Sequence, residues 1–224
     1  MDTADIVNTT YAIIFLIVLV LTIIYFKCRV YEPMFINKQL YCHNPMNDGV
    51  TTIHHSKFSK PYLGTNFSFN FWIYTENVPE NACRNSTHKS FVDIFRTVKD
   101  DNEKFILQIN QHSGDMKLNI DDDKEYDIIK ALPNQKWMNI SINIENKYID
   151  IFVNGKLYNA FYSPKIIKFL PGIDMQIICD NNGFYGYISK LRYFNKFINY
   201  KRVKTLYQNN IRETGSYDPL WWIR

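Results

Sequence analysis

Residues 137–161 read WMNISINIENKYIDIFVNGKLYNAF, a stretch that can fold in few ways. Met138, Ile140, Ile142 and Ile144 alternate with Asn139, Ser141, Asn143 and Glu145, the period of a strand with one buried face. Asn146-Lys147 interrupts the pattern, and Ile149, Ile151 and Val153 then resume it. Asn154-Gly155 supplies two residues that tolerate positive φ, as a two-residue type I′ hairpin turn requires. Lys156 to Phe161 runs back as a third strand. The segment predicts a three-strand antiparallel ladder and, by itself, no activity.

The rest of the chain is built in the same style. NFSFNFWIY, residues 66–74, alternates Phe67, Phe69, Phe71 and Ile73 with Ser68, Asn70, Trp72 and Tyr74, and both faces turn apolar toward its end. That predicts a central strand covered on both sides. Further strands are expected near 51–55 and over 91–98, 104–110, 116–120, 126–129, 175–179 and 186–194, with turns such as Asp180-Asn181-Asn182-Gly183 between them. Val203, Leu206 and Tyr207 have helical spacing within 200–209 and predict one short helix. About a dozen short strands indicate a two-sheet antiparallel sandwich. The aromatic content of 16% fits strands. A net charge of +4 without a like-charge block gives no sign of a nucleic-acid partner.

Residues 6–26 carry no charge and are almost wholly apolar from Ala12 on. About 20 such residues cross a bilayer, so a transmembrane anchor is expected, with Ile13, Phe15, Leu19 and Ile23 in the lipid and Tyr25 at its edge. A cleaved signal peptide is the main competitor. It needs a basic start and a small-residue cleavage site, whereas this chain begins Met1-Asp2-Thr3-Ala4-Asp5 and leaves the segment through Lys27-Cys28-Arg29. Lys27, Arg29 and Lys38 follow the segment and no Lys or Arg precedes it. The positive-inside rule then puts the C-terminal domain on the cytosolic face of a single-pass membrane protein. N-x-S/T sequons at Asn8, Asn66, Asn85 and Asn139 are common by chance in an Asn-rich chain.

Cys28, Cys42, Cys83 and Cys179 match no zinc spacing. Cys42 and Cys83 are a possible pair in an oxidising compartment, while reduced thiols are the expectation in cytosol. His43, His54, His55, His88 and His112 form no helical ligand pattern and read as surface or turn residues. Trp72, Tyr74 and Tyr148 are candidate ligand-stacking aromatics, weighed against packing in the core. Trp221 and Trp222 close the chain and are candidate interface residues, packing under the domain or touching a membrane surface.

In this order, NFSFNFWIY, FILQIN, KLNI, LPNQKWMNISINI, IDIFVNGKLY and GFYGYISKLRYFNKFINYKRVKTLY resemble the laminin-G-like branch of the concanavalin A-like lectin/glucanase superfamily. The fold-defining positions are Trp137 opening a strand, Asn154-Gly155 at the hairpin turn, and a late G-x-I-x-x-L-R-x-F strand with Gly186 and Leu191. The resemblance implies an all-β, two-sheet antiparallel jelly-roll sandwich, here with an N-terminal transmembrane helix and a short C-terminal helix. The organisation expected is an anchor over 1–29, a stalk over 30–50, the laminin-G-like jelly roll over 51–209 and a Trp-containing tail over 210–224.

Members of such a family bind glycans or proteins, hydrolyse glucans or act as structural modules, and fold alone does not choose among these. The glucanase branch resembles E-x-D-x-x-E. The nearest match here is Glu125-Tyr126-Asp127-Ile128-Ile129-Lys130, whose last position is Lys130, so no enzyme is expected. The family's calcium ligands imply Ca2+ candidates among Asp100, Asp101, Asp121, Asp122, Asp123 and Asp180, for which a solvated acidic turn is the favoured reading. No other cofactor is expected. The functional expectation is a non-enzymatic, membrane-anchored interaction protein, holding the lipid bilayer through residues 6–26 and a protein partner or glycan through the sandwich. Its composition and architecture resemble membrane proteins of large DNA viruses, which implies a link from an internal virion membrane to the capsid. The alternative is a surface adhesin or glycan-binding lectin.

Overall fold

The computed structural model describes residues 11–22, 34–42, 50–59, 61, 64–78, 91–99, 102–120, 124–169, 172–179 and 183–212. The chain forms two units, Met1–Tyr31 and Glu32–Arg224. In the first, residues 11–22 form a helix, α1. Its side chains are exposed on every side, including Ile13, Phe15 and Leu19. At about 1.5 Å per residue its described residues measure roughly 18 Å against about 30 Å of bilayer hydrocarbon. Among the described residues no helix is long and apolar enough to cross a membrane. The expectation of a spanning helix over 6–26 is not met by these residues. Ile23, Tyr25, Lys27 and Arg29 lie outside the described residues.

The second unit is a two-sheet sandwich. Sheet A runs β1 (Leu40–Tyr41), β12 (Gly186–Phe194), β3 (Asn66–Thr75), β8 (Trp137–Glu145), β9 (Tyr148–Val153), β10 (Lys156–Tyr162). Sheet B runs β2 (Thr51–Ile53), β11 (Asp174–Ile177), β4 (Val92–Lys99), β5 (Asn102–Ile109), β6 (Met116–Ile120), β7 (Lys124–Ile129). Neighbouring strands pair antiparallel throughout. Between the sheets the inward residues of both interdigitate. Phe67, Phe69 and Phe71 of β3 meet Phe95 of β4 and Phe105 of β5, with ring centroids 5.5–6.3 Å apart, and the isoleucines of β8 and β9 are fully buried beside them.

The three strands over 137–161 form as predicted, but β8 is buried on both faces where its alternation predicts one. The β9–β10 hairpin turn has φ of 51° at Asn154 and 75° at Gly155, the mirror-image geometry that matches strand twist. Gly155 is also crowded from outside the turn: a Cβ there would lie 3.2 Å from the Tyr207 side chain, which would have to give way. Gly186, at φ 150°, has less room still: a Cβ would run into the Tyr74 carbonyl on the neighbouring strand. Leu191 is fully buried in the core.

The stretch expected to be a stalk departs from that expectation. Met34 bridges Arg192, Phe35 packs on Phe58 and Tyr193, and Leu40–Tyr41 adds β1 to the edge of sheet A. Two-residue strands carry no alternation to read, so only the partner strand reveals them. The short helix α2 (Tyr200–Arg212) is stopped at its start by Asn199, whose side-chain oxygen accepts the Arg202 N–H at 2.9 Å. Residues 213–224, and with them Trp221 and Trp222, lie outside the described residues.

Candidate functional site

β3 has apolar residues on both faces because both are in use. Its outward side carries Ser68, Asn70, Trp72 and Tyr74. Val203 and Leu206 of α2 are buried, Tyr207 stacks on Trp72 at 5.8 Å, and residues 196–198 close over Ser68 and Asn143. The amide nitrogens and hydroxyls trapped there are paired, while Asn70 Oδ1 and Asn143 Oδ1 accept no hydrogen bond from the described residues. The Asn70 amide donates to Asn139 Oδ1 at 3.1 Å and Ser141 Oγ at 2.8 Å. Asn139 donates to the Phe71 carbonyl at 3.2 Å, Asn143 to the Ile198 carbonyl at 2.7 Å and Ser68 to the Lys196 carbonyl at 3.0 Å. Trp72 is therefore internal, 1% exposed, which corrects its candidacy as a ligand-stacking ring. Asn66 and Asn139 are buried too, so in the folded domain those sequons are closed to glycosylation.

Beyond the helix the same outward face opens. Tyr41 pairs with Tyr187, Tyr187 with Tyr74, and Tyr74 with Trp137, each directly across from the next on β1, β12, β3 and β8. Strand pairing alone sets this row of four aromatic side chains. Ring centroids lie 4.9 Å apart for Tyr41 and Tyr187, 6.1 Å for Tyr187 and Tyr74, and 5.4 Å for Tyr74 and Trp137, the spacing at which aromatic pairs attract. The three tyrosines are half-buried, while Trp137 is buried against Trp72 at the helix-covered end.

Glu76 follows β3 at the end of the row. Its backbone N–H donates to the Tyr185 carbonyl at 2.8 Å, and the Tyr41 hydroxyl reaches its carboxylate at 3.4 Å. Burial pushes the Tyr41 phenol up to about 12, helped by the charge of Glu76 and that hydrogen bond. Tyr74 and Tyr187 are raised for the same two reasons, burial first and the Glu76 charge second. All three phenols therefore keep their protons at neutral pH. The row presents hydroxyl groups that can donate and accept, a carboxylate that accepts, and partly exposed ring surface. That combination suits a ligand with many hydroxyls and apolar C–H faces.

Of the residues singled out in the sequence, Tyr74 and Trp137 meet in this row. Tyr148 does not join them. It is exposed and packs edge-on against Tyr162 at 5.5 Å, at the other end of the eight-residue step along β8, about 27 Å away at 3.4 Å per residue. Tyr41, Tyr187 and Glu76 were missed. Tyr41 stood in the supposed stalk, and only the adjacency of β12 to β3 brings Tyr187 beside Tyr74. The apolar cleft between Ile120, Tyr126 and Ile167 encloses about 80 Å³, far below the roughly 300 Å³ at which small-molecule pockets begin.

Glu125 and Asp127 share the outward face of β7, flanking buried Tyr126. Lys117 of β6 lies in contact with Glu125 and 4.0 Å from Asp127, and Glu125 holds the Lys117 ammonium above its ordinary range. This is an ion-paired sheet surface. Asp100, Asp101, Asp121, Asp122, Asp123 and Asp180 lie outside the described residues, as do Cys28 and Cys83. Cys42 does not stand alone: its sulfur is 3.6 Å from that of Cys179, both buried and neither in a disulfide, and burial holds the Cys42 thiol well above its usual range. Cys42 follows β1 and Cys179 follows β11, while Cys83, the possible partner of Cys42 from sequence, lies outside the described residues.

Residues 46–204 match the family model described as concanavalin A-like lectin/glucanases superfamily. Among solved structures, the chain is similar to the botulinum neurotoxin serotype G binding domain (TM-score 0.56, 20% identity, 80% of this chain and 46% of that one). It is also similar to the binding domain of botulinum neurotoxin DC in complex with SialylT (0.54, 19%, 81% and 45%) and in complex with rat synaptotagmin II (0.54, 18%, 81% and 46%). At these identities the likeness is one of fold, and the chain spans less than half the length of those solved chains. No curated protein matches it.

Proposed function

We propose that this chain, which belongs to the concanavalin A-like lectin/glucanases superfamily, is a non-enzymatic binding module that takes glycans on the outward row of sheet A. The observation that carries the reading is the register of Tyr41, Tyr187, Tyr74 and Trp137 with Glu76 at its end. Flat ring surface receives the C–H face of a sugar, and phenols and a carboxylate receive its hydroxyls. The described residues of β7 supply no second catalytic carboxylate at the expected place, where Lys130 stands. Solved neighbours in complex with SialylT or with rat synaptotagmin II are support of a weaker kind, since they share only the fold.

The test is binding of the full-length chain to an array of neutral and sialylated oligosaccharides, followed by titration of the best binder. Tyr74→Ala and Glu76→Gln should each weaken binding by about tenfold, a loss of roughly 1.4 kcal/mol, with the circular dichroism unchanged. Binding that survives both substitutions, or no glycan bound at all, would sink the proposal.

A second reading concerns where the module works. α1 is apolar on all sides and exposed, which in water is costly and in lipid is not. In this reading residues 6–26 together form the membrane anchor, with the sandwich on the cytosolic side, and the resemblance to membrane proteins of large DNA viruses has the domain link an internal virion membrane to its capsid. The chain should resist alkaline carbonate extraction from membranes, and removal of residues 1–29 should release it. Full extraction of the intact chain would end this reading and leave the glycan site untouched.

A further inference from the structure

The edge of sheet B brings together two adjacent histidines and a carboxylate that lies 119 residues beyond the second of them. β2 pairs with β11 up to Ile53 opposite Met175, so His54 and His55, just past the end of β2, reach Asp174, the first residue of β11. His55 Nδ1 is 2.9 Å and His54 Nδ1 3.6 Å from the same Asp174 oxygen, and one ligand atom from each residue lies within 4.8 Å of the other two. The carboxylate is held in place by a third contact: the His55 backbone N–H donates to it at 2.7 Å. That bond, ahead of the imidazole contacts, keeps Asp174 below the ordinary carboxylate range and so ionised. β11 is fixed on its other side by β4, with Asp174 opposite Val98.

The geometry points to a zinc-class divalent metal site formed by His54, His55 and Asp174. Bonds of about 2.0–2.1 Å to imidazole nitrogen and carboxylate oxygen set the edge of a tetrahedral site at roughly 3.3 Å, and the two observed separations bracket that value. Two imidazoles with one carboxylate suit a borderline-soft ion such as Zn2+ and not Ca2+ or Mg2+, which take oxygen ligands. On binding, each imidazole presents a bare Nδ1 to the ion and carries its proton on Nε2, so neutral histidines release nothing and a protonated one releases one proton. The exposed rings leave the fourth position to water. The ion would clamp the edge strand β2, and the turn at His55–Lys57, to β11, closing an edge that otherwise depends on three residue pairs.

The experiment is calorimetric titration of ZnCl2 into the untagged full-length chain, with thermal unfolding in parallel. One equivalent should bind, and zinc at about a hundredfold over its Kd should raise Tm by roughly 5 °C, with CaCl2 doing neither. His54→Ala and His55→Ala, both at exposed side chains, should each weaken binding at least tenfold. So should Asp174→Asn, which keeps an oxygen for the His55 N–H. The double variant Cys42→Ser/Cys179→Ser should bind zinc as the parent does, and the Co2+-loaded protein should show a visible spectrum without thiolate-to-metal bands. No saturable zinc binding, or binding that is unchanged in both histidine variants, overturns the site.

Discussion

The outward face of sheet B lays Gln176, Arg96, Asn119 and Glu125 along one cross-strand row, with Ile106 among them, and Asp93, Gln108, Lys117 and Asp127 along the next. The outward face of sheet A lays Ser68, Asn70, Trp72 and Tyr74 along one strand and covers Ser68 with residues 196–198 and Trp72 with α2. On sheet B the polar side chains pair with each other at the surface: Arg96 donates to Gln176 at 3.0 Å, Gln108 to Asp93 at 2.7 Å and Asn119 to Gln108 at 3.3 Å. Such contacts exchange water for protein at little net gain. On sheet A the polar side chains are sealed from water and must pair with each other or lose their hydrogen bonds outright. One face is a solvated boundary. The other is a second core that runs out before the sheet does, and where it runs out the aromatic row begins.

The comparison is broken most directly at Trp72. Trp72→Ala removes the ring between α2 and sheet A and should cost about 3–5 kcal/mol in urea unfolding, the range for large-to-small changes of buried aromatics. Arg96→Ala, across the sandwich, should cost under about 1 kcal/mol. Similar losses from the two substitutions would mean that the outward face of sheet A is no second core. A Trp72→Phe variant should recover part of the loss by restoring the stack on Tyr207.

The two faces also differ in what their sequences disclose. β6 and β7 alternate because water lies on one side. The ladder over β8 to β10 is legible for a different reason: the covered outward positions of β8, Asn139, Ser141 and Asn143, are buried yet polar, and Asn154-Gly155 marks the turn. β3 shows in its sequence that both faces are covered but not by what: the partner of Trp72 is Tyr207, far along the chain. The row of Tyr41, Tyr187, Tyr74 and Trp137 is a property of sheet order, β1-β12-β3-β8, which no local period encodes. The same holds for His54, His55 and Asp174, where neither the histidine pair nor the lone carboxylate has a ligand spacing of its own. Asn139 shows the converse. Its local pattern is that of a glycosylation site, and its environment, an amide fully buried and bonded to Phe71 and Asn70, withdraws it.

A smaller effect separates the open end of sheet A from sheet B by pH. An unfolded tyrosine loses its proton near pH 10, and folded Tyr41 keeps its proton until about 12 because burial, then Glu76, opposes the phenolate. Between those values the folded state holds more protons than the unfolded one, so stability falls as pH rises through the window, and below pH 10 the group contributes no slope. Tyr74 and Tyr187 act in the same direction. Urea unfolding at pH 9, 10 and 11 should show this decline, and Tyr41→Phe should make it shallower by one group. Glu76→Gln should do so only in part, since burial is the larger cause. Asn119→Ala, an uncharged change on the polar rows of sheet B, should leave the slope as it was. A Tyr41→Phe protein whose stability declines as steeply as the parent's, with every phenol ionising near pH 10 by absorbance, would show that the row is as open to water as the face opposite.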